Sequence, residues 1–146
     1  MTELKKISLI QLRKPTKKDL NIELQWFSQS LGLFNERDKE SSCFRIFIEL
    51  VKAARRNHAL SSDQLALKTN LSRGTVIHHL IRLKEAGLIL HEKNRYALRT
   101  NSLTELMDEL RRDALRILED LEETAERLDE ELGLVNNKKK QGVISD

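Results

Sequence analysis

The chain has 146 residues, about one domain's length, with 26 Lys/Arg against 23 Asp/Glu and a net charge of +3. Aromatic residues make up 4% and charged residues 34%, a balance that favours helices with solvated faces over a β-sandwich, and one proline with five glycines argues against long irregular loops. A single cysteine, Cys43, rules out an intramolecular disulfide, no apolar run nears the ~18 residues of a membrane helix, and ISLIQL after Lys5 and Lys6 is too short for a signal sequence, so a cytoplasmic location is expected.

Residues 1–15 read as a basic arm or a short strand, in which Ile7, Leu9 and Gln11 alternate with Ser8, Ile10 and Leu12, and Pro15 ends it. Thr16 or Asp19 caps a helix to about Leu31, with Gly32 just past its end. Leu20, Leu24, Phe27 and Leu31 follow at spacings of four, three and four, while Ile22, Trp26 and Leu33 lie off that stripe. An arc that wide fits two contacts, one to the chain's own core and one to a partner; Trp26 in a single deep core fits equally. Residues 38–57 form the next predicted helix, with Phe44, Phe47, Ile48, Val51 and Ala54 at helical spacing and Ile46 and Leu50 beside them. Arg55 and Arg56 suit the negative end of its dipole, and Cys43 reads as a buried structural thiol.

Ser61-x-x-Gln64 is a capping box that opens a short helix over 62–69, with Leu65 and Ala66 inward and Thr69 and Asn70 in the turn. Ser72 then caps a helix over 72–86 whose buried stripe is Val76, Leu80 and Leu83 and whose stop is Gly87. Two helices joined this tightly fit the helix-turn-helix pattern. The second leaves Arg73, Gly74, Thr75, Ile77, His78, Ile81 and Arg82 on or beside its other faces. A short basic face rich in hydrogen-bonding groups suits the DNA major groove, where Arg reads guanine and Thr meets bases or phosphates. Leu88–His91 and Arg95–Leu98 read as two strands joined through Glu92, Lys93 and Asn94, which makes a wing tipped by Lys93, Asn94 and Arg95.

Residues 102–132 read as one helix about 45 Å long. Leu103, Met107, Leu110, Ala114, Leu118, Leu121, Ala125, Leu128 and Leu132 mark a heptad seam with one four-residue stutter near Ala114, and Gly133 ends it. The seam is longer than a domain this small can cover, so pairing with a second copy is expected over folding back on helices 17–31 and 38–57. Charge divides along the same line. Residues 1–100 carry 19 Lys/Arg against 10 Asp/Glu, a net of +9, and residues 101–132 carry 4 against 12, a net of −8. A surface that attracts polyanions and one that does not are thus separated along the chain. The expected organisation is an arm (1–15), a DNA-binding domain with a helical extension (16–100), a coiled-coil-like helix (101–133) and a disordered tail (134–146).

The run LSRGTVIHHLIRLKEAGLI, residues 71–89, resembles the recognition segment of ArsR/MarR-type winged helix-turn-helix regulators, LS-x-x-TV-x-x-HL-x-x-L-x-x-AGL-(I/V). Leu71, Ser72, Thr75, Val76, His79, Leu80, Leu83, Ala86, Gly87, Leu88 and Ile89 match it. More loosely, LGLFNERDKESSCFRIF, residues 31–47, is similar to LGLF-x-x-RDK-x-x-S-x-FR-x-F of small archaeal winged-helix proteins. The resemblance implies a mainly α fold: a winged helix-turn-helix with N-terminal helices and a long C-terminal dimerisation helix. It further implies a homodimeric transcription regulator of double-stranded DNA, with helix 72–86 in the major groove and wing 88–99 on the backbone or minor groove. Carried over by position, the DNA-binding residues are Ser72, Arg73, Gly74, Thr75, Ile77, His78, Arg82, Lys93 and Arg95, with Ser72 both cap and phosphate donor and His79 leaning toward the backbone.

No phosphate-binding glycine loop or nucleophile elbow is present, and Ser41-Ser42-Cys43 has no histidine placed near it by sequence, so no enzyme activity and no cofactor are expected. One cysteine and four histidines, at 58, 78, 79 and 91, do not supply a metal sensor's ligand cluster, and the adjacent His78 and His79 point about 100° apart on a helix. Ile77 and Ile81 make the reading face more apolar than base contacts require. That keeps a second function class in view, a winged-helix protein-interaction module in a larger complex.

Overall fold

The computed structural model describes residues 4–35 and 37–135. Among them, α1 (Leu20–Ser30), α2 (Ser42–Ala54), β1 (Leu60–Ser61), α3 (Ser62–Thr69), α4 (Arg73–Glu85), β2 (Ile89–Glu92), β3 (Arg95–Leu98) and α5 (Leu103–Leu132) follow in order. The chain divides into two units, residues 1–110 and 111–146.

Helix limits follow from local hydrogen bonding. The Asp19 carboxylate accepts the Ile22 N–H at 3.1 Å and starts α1. The α2 helix is shorter than its hydrophobic spacing predicts, because residues 38–41 serve as its entry. Ser41 is left-handed (φ 54°) and makes no side-chain cap; Asp38 supplies the acceptor instead, taking the Cys43 N–H at 3.0 Å. At the other end Asn57 turns left-handed and the His58 N–H returns to the Ala53 carbonyl at 3.0 Å, a Schellman closure. Both halves of the capping box expected at Ser61 and Gln64 form, at 2.8 and 3.1 Å. Asn70 takes the left-handed turn between α3 and α4, and Gly87 (φ 76°) ends α4 as Leu88 N–H reaches the Leu83 carbonyl at 3.1 Å.

The three strands form an antiparallel sheet in the order β1-β3-β2. Ile89 faces Leu98 and Glu92 faces Arg95 across the wing. Its turn has two central residues, Lys93 and Asn94, both with positive φ (50° and 63°), as a hairpin turn compatible with strand twist requires. The sequence places a three-residue turn here and does not foresee β1, whose two residues are too few to show alternation.

The core of the first unit is built on α2. Its Cys43, Ile46, Phe47 and Leu50 are fully buried and meet Leu65 of α3, Val76, Leu80 and Leu83 of α4, and Ile89 and Leu98 of the wing. Leu106 and Leu110 from the start of α5 complete the cluster, with Leu103 and Met107 packed against it. These four stand at i, i+3, i+4 and i+7, the stripe of a helix docked on a domain core. The opening of the heptad seam thus serves the chain's own core, and Leu106, which the seam omits, is the most buried of the four. The Arg99 guanidinium reinforces this corner: it donates to the Gly87 carbonyl at 3.2 Å and pairs with Glu109 at 3.2 Å. The architecture is a winged helix-turn-helix with N-terminal helices and a long C-terminal helix.

Residues 4–15 form no strand. The Lys6 N–H donates to the Glu85 carbonyl and the Ile10 N–H to the Ser30 carbonyl, both at 2.8 Å, and Trp26 Nε1 donates to the Leu12 carbonyl at 3.2 Å. Gly32 (φ 75°) lets this arm pass: a Cβ there would stand 2.8 Å from Ser8 Cβ. Trp26 is half-buried against the arm, which differs from both sequence readings of it. In the second unit the seam residues Leu118, Leu121 and Leu128 are 52%, 61% and 42% exposed in the single chain, and Ala125 is exposed beside them. Of the tail expected to be disordered, residues 136–146 lie outside the described residues. No helix among the described residues is long and apolar enough to cross a membrane.

Leu106→Ala should lower the unfolding free energy by about 2–5 kcal/mol, the range for emptying a buried leucine site. Urea unfolding followed by circular dichroism checks it; a loss well under 1 kcal/mol would contradict the docked start of α5.

Candidate nucleic-acid interface

Burial of Val76, His79, Leu80 and Leu83 sets the roll of α4 about its axis. Ser72, Arg73, Gly74, His78 and Ile81 then stand exposed, with Thr75 and Ile77 half-exposed between them. A Cβ added at Gly74 would meet nothing within 4 Å, so the backbone of the first turn is bare. Unpaired N–H groups of a helix start, next to an arginine, favour an approaching anion.

Arg73 Nε lies 3.4 Å from Asp63 Oδ1 of α3, with both side chains mostly in solvent. An exposed pair of this kind is worth only about 0–1 kcal/mol, so a phosphate or base edge readily displaces it. The Ser72 hydroxyl accepts the Thr75 N–H at 3.2 Å and donates to Thr75 Oγ1 at 2.8 Å. The Ser72 oxygen thus serves the cap, and the two hydroxyls share one hydrogen bond, which leaves one hydroxyl proton of the pair for an outside acceptor.

Arg82 differs from its helix neighbours. It is half-buried and borders a cavity together with Lys6, Ser8, Gly32 and Cys43, beside the N-terminal arm. Lys93 is exposed at the tip of the wing. Arg95 is also exposed, but its guanidinium donates to the Ala59 carbonyl at 3.3 Å and to Gln64 Oε1 at 3.4 Å, which ties the wing to the start of α3. Opposite positions on the wing carry His91 and Tyr96, whose rings stack 4.2 Å apart and 7° from parallel. That contact stiffens the hairpin, and the alternating strand pattern held the signal for it.

Behind the exposed face lie the buried His79 and Cys43 and the half-buried Asp38. His79 is buried with Nδ1 lacking a hydrogen-bond partner. Burial lowers its pKa below the ordinary 6.5; Asp38 pulls the other way, and Arg82 and His78 add to the lowering. Burial works to raise the Asp38 pKa, but hydrogen bonds from Ser42 and the Cys43 N–H outweigh it and keep the carboxylate ionised below the usual range. Burial pushes the Cys43 thiol up to about 11, so it is a neutral packing group at physiological pH and no activated nucleophile. Among the described residues no group of three or more His, Cys, Asp or Glu side chains is placed to hold a metal ion.

The depressed pKa of His79 makes stability depend on pH. Its neutral form is favoured by the fold, so its contribution is complete above the unfolded value near 6.5. That contribution is lost as pH falls from there toward the lower folded value. Unfolding free energy measured from pH 7.5 down to about 5 should fall more steeply in the wild type than in His79→Gln. Parallel curves would contradict the burial of a neutral imidazole.

Residues 48–90, which run from the second half of α2 through α3 and α4 into β2, match the family model described as bacterial regulatory protein, arsR family. No curated protein and no solved structure matches the chain. The matched segment holds the whole helix-turn-helix, and it supports a DNA-binding transcription regulator.

Proposed function

We propose that this protein is a dimeric, cytoplasmic transcription regulator that reads double-stranded DNA with the exposed side of α4. The observation that carries the proposal is the bare, basic first turn of α4: Arg73 and Gly74 open to solvent and Thr75 half-exposed beside them, with Ile77 and His78 one turn on. In this reading Arg73 and Thr75 contact bases or phosphates in the major groove, and the N–H of Gly74 meets a phosphate. Lys93 brings a cation to the flanking backbone or minor groove. Ser72 and Arg95 act one step removed, by holding the helix start and the wing in place. Arg82 contributes long-range charge.

Fluorescence polarisation on duplex DNA across a salt series tests the face. Wild-type affinity should fall steeply with salt, and Arg73→Glu should weaken binding by about 5- to 100-fold. Gly74→Ala should preserve or raise stability while weakening binding, since its methyl group projects into solvent in the free protein. Unchanged affinity in both variants would remove α4 as the reader. The apolar exposure of Ile81, at 54%, favours a protein-interaction module if duplex binding is absent and a stoichiometric partner is found.

The dimer rests on the exposed seam of Leu118, Leu121, Ala125 and Leu128, preceded by the half-buried Ala114 and repeating at spacings of four and three. Leu103, Met107 and Leu110, at the head of the predicted seam, pack on the chain's own core instead. Light scattering at micromolar concentration should give twice the 17.0 kDa chain mass, and Leu121→Glu should return it to the monomer value. A wild-type monomer would contradict the pairing.

A further inference from the structure

On the first unit, the end of α2, the strand β1 and the last turn of α3 enclose a cleft of about 410 Å³. Lys52, Arg55, Arg56, His58 and Lys68 line it, with Glu49 as the one carboxylate. Glu49 is engaged by Lys52 at 3.4 Å. Among the described residues Arg55, Arg56 and Lys68 have no carboxylate within ion-pair distance. No residue of α4 or of the wing tip borders the cleft, so it is separate from the reading face.

Lys52 lies in the last turn of α2, and Arg55, its C-cap, and Arg56 follow directly in the turn that leaves the helix. The negative end of the α2 dipole accounts for a cation or two there. It does not account for Lys68, which comes from another helix and borders the same space. Four like charges around one cleft, offset by one carboxylate, repel one another when the cleft is empty and focus the field on whatever enters it.

We propose that this cleft is a binding site for a phosphorylated anion. Two guanidinium forks offer paired N–H donors that match the oxygens of a phosphate, and two ammonium groups add point charges. The volume falls within the range of about 300–1,000 Å³ typical of small-molecule sites. Two sources share the chemistry: a free phosphorylated small molecule, or a stretch of phosphodiester backbone from duplex DNA.

The test uses the full chain and pyrophosphate as the probe, without DNA. Amide NMR titration should move Lys52, Arg55, Arg56, His58, Leu60 and Lys68 selectively, and the paired change Arg56→Glu with Lys68→Glu should weaken binding at least about tenfold. The milder pair Arg56→Gln with Lys68→Gln should show a smaller loss, and circular dichroism confirms that both variants fold. A second arm measures duplex binding against salt. If DNA backbone fills the cleft, the double variant lowers the slope of log affinity against log salt by about 2; if a small molecule fills it, the double variant loses pyrophosphate binding while its slope for duplex matches the wild type's. Shifts spread evenly over basic residues elsewhere, with affinity unchanged in the variants, would overturn the site. The pyrophosphate arm does not rest on the DNA reading: a chain that takes pyrophosphate here but binds no duplex would end that reading and leave this one standing.

Discussion

The packing of α2 on α4 is the contact on which the rest depends. Phe47, Ile46 and Leu50 from one helix and Val76, Leu80 and Leu83 from the other are sealed from solvent. Burial of each such side chain is worth about 1.5–3 kcal/mol, so rolling α4 to any other angle costs several of these terms together. That cost, and no polar contact, fixes which residues of α4 face outward. The bare backbone at Gly74 and the cation at Arg73 follow from the roll angle. The wing inherits its place from the same core through Ile89 and Leu98, and Arg99 holds the junction where α4, the wing and α5 converge.

The polar groups around this core hold positions more than they present chemistry. Asp38 stands where a cap on α2 is needed, and its negative charge also faces His79. Ser72 spends its hydroxyl on the helix start, and Arg95 spends its guanidinium on the joint between wing and α3. If α4 reads DNA as proposed, the set of residues placed to meet it directly is smaller than the set of polar residues near the face. It centres on Arg73, Thr75, His78 and Lys93, with the α4 backbone itself as a donor.

Much of the fold was legible because its limits are written in local chemistry. Asp19, Ser61 with Gln64, Ser72, Asn70 and Gly87 each perform a backbone task that few residues do well, and each stands where the structure uses it. What was not legible depends on contacts distant in sequence. The pairing of Leu60 with Tyr96 leaves no pattern in two residues. Arg95 and Arg82 look like free cations until Ala59, Gln64 and the N-terminal arm are brought beside them. The cations Lys52, Arg55 and Arg56 were visible at the end of the predicted helix, but reading Arg55 and Arg56 as partners of the dipole concealed their meeting with Lys68. Leu106 was missed for a related reason: a heptad seam and a globular helix stripe share Leu103, Met107 and Leu110, and only the core shows that the start of α5 follows the second pattern.

A regulator of this build needs a duplex partner with sequence preference, not merely a polyanion. Selection of bound duplexes from a random library by the full chain tests that most directly. The account predicts enrichment of a motif with two related half-sites about one helical turn, or a multiple of it, apart, as a dimer presenting two copies of α4 requires. Recovery of an unenriched library, at a salt concentration where the protein is folded, would contradict it.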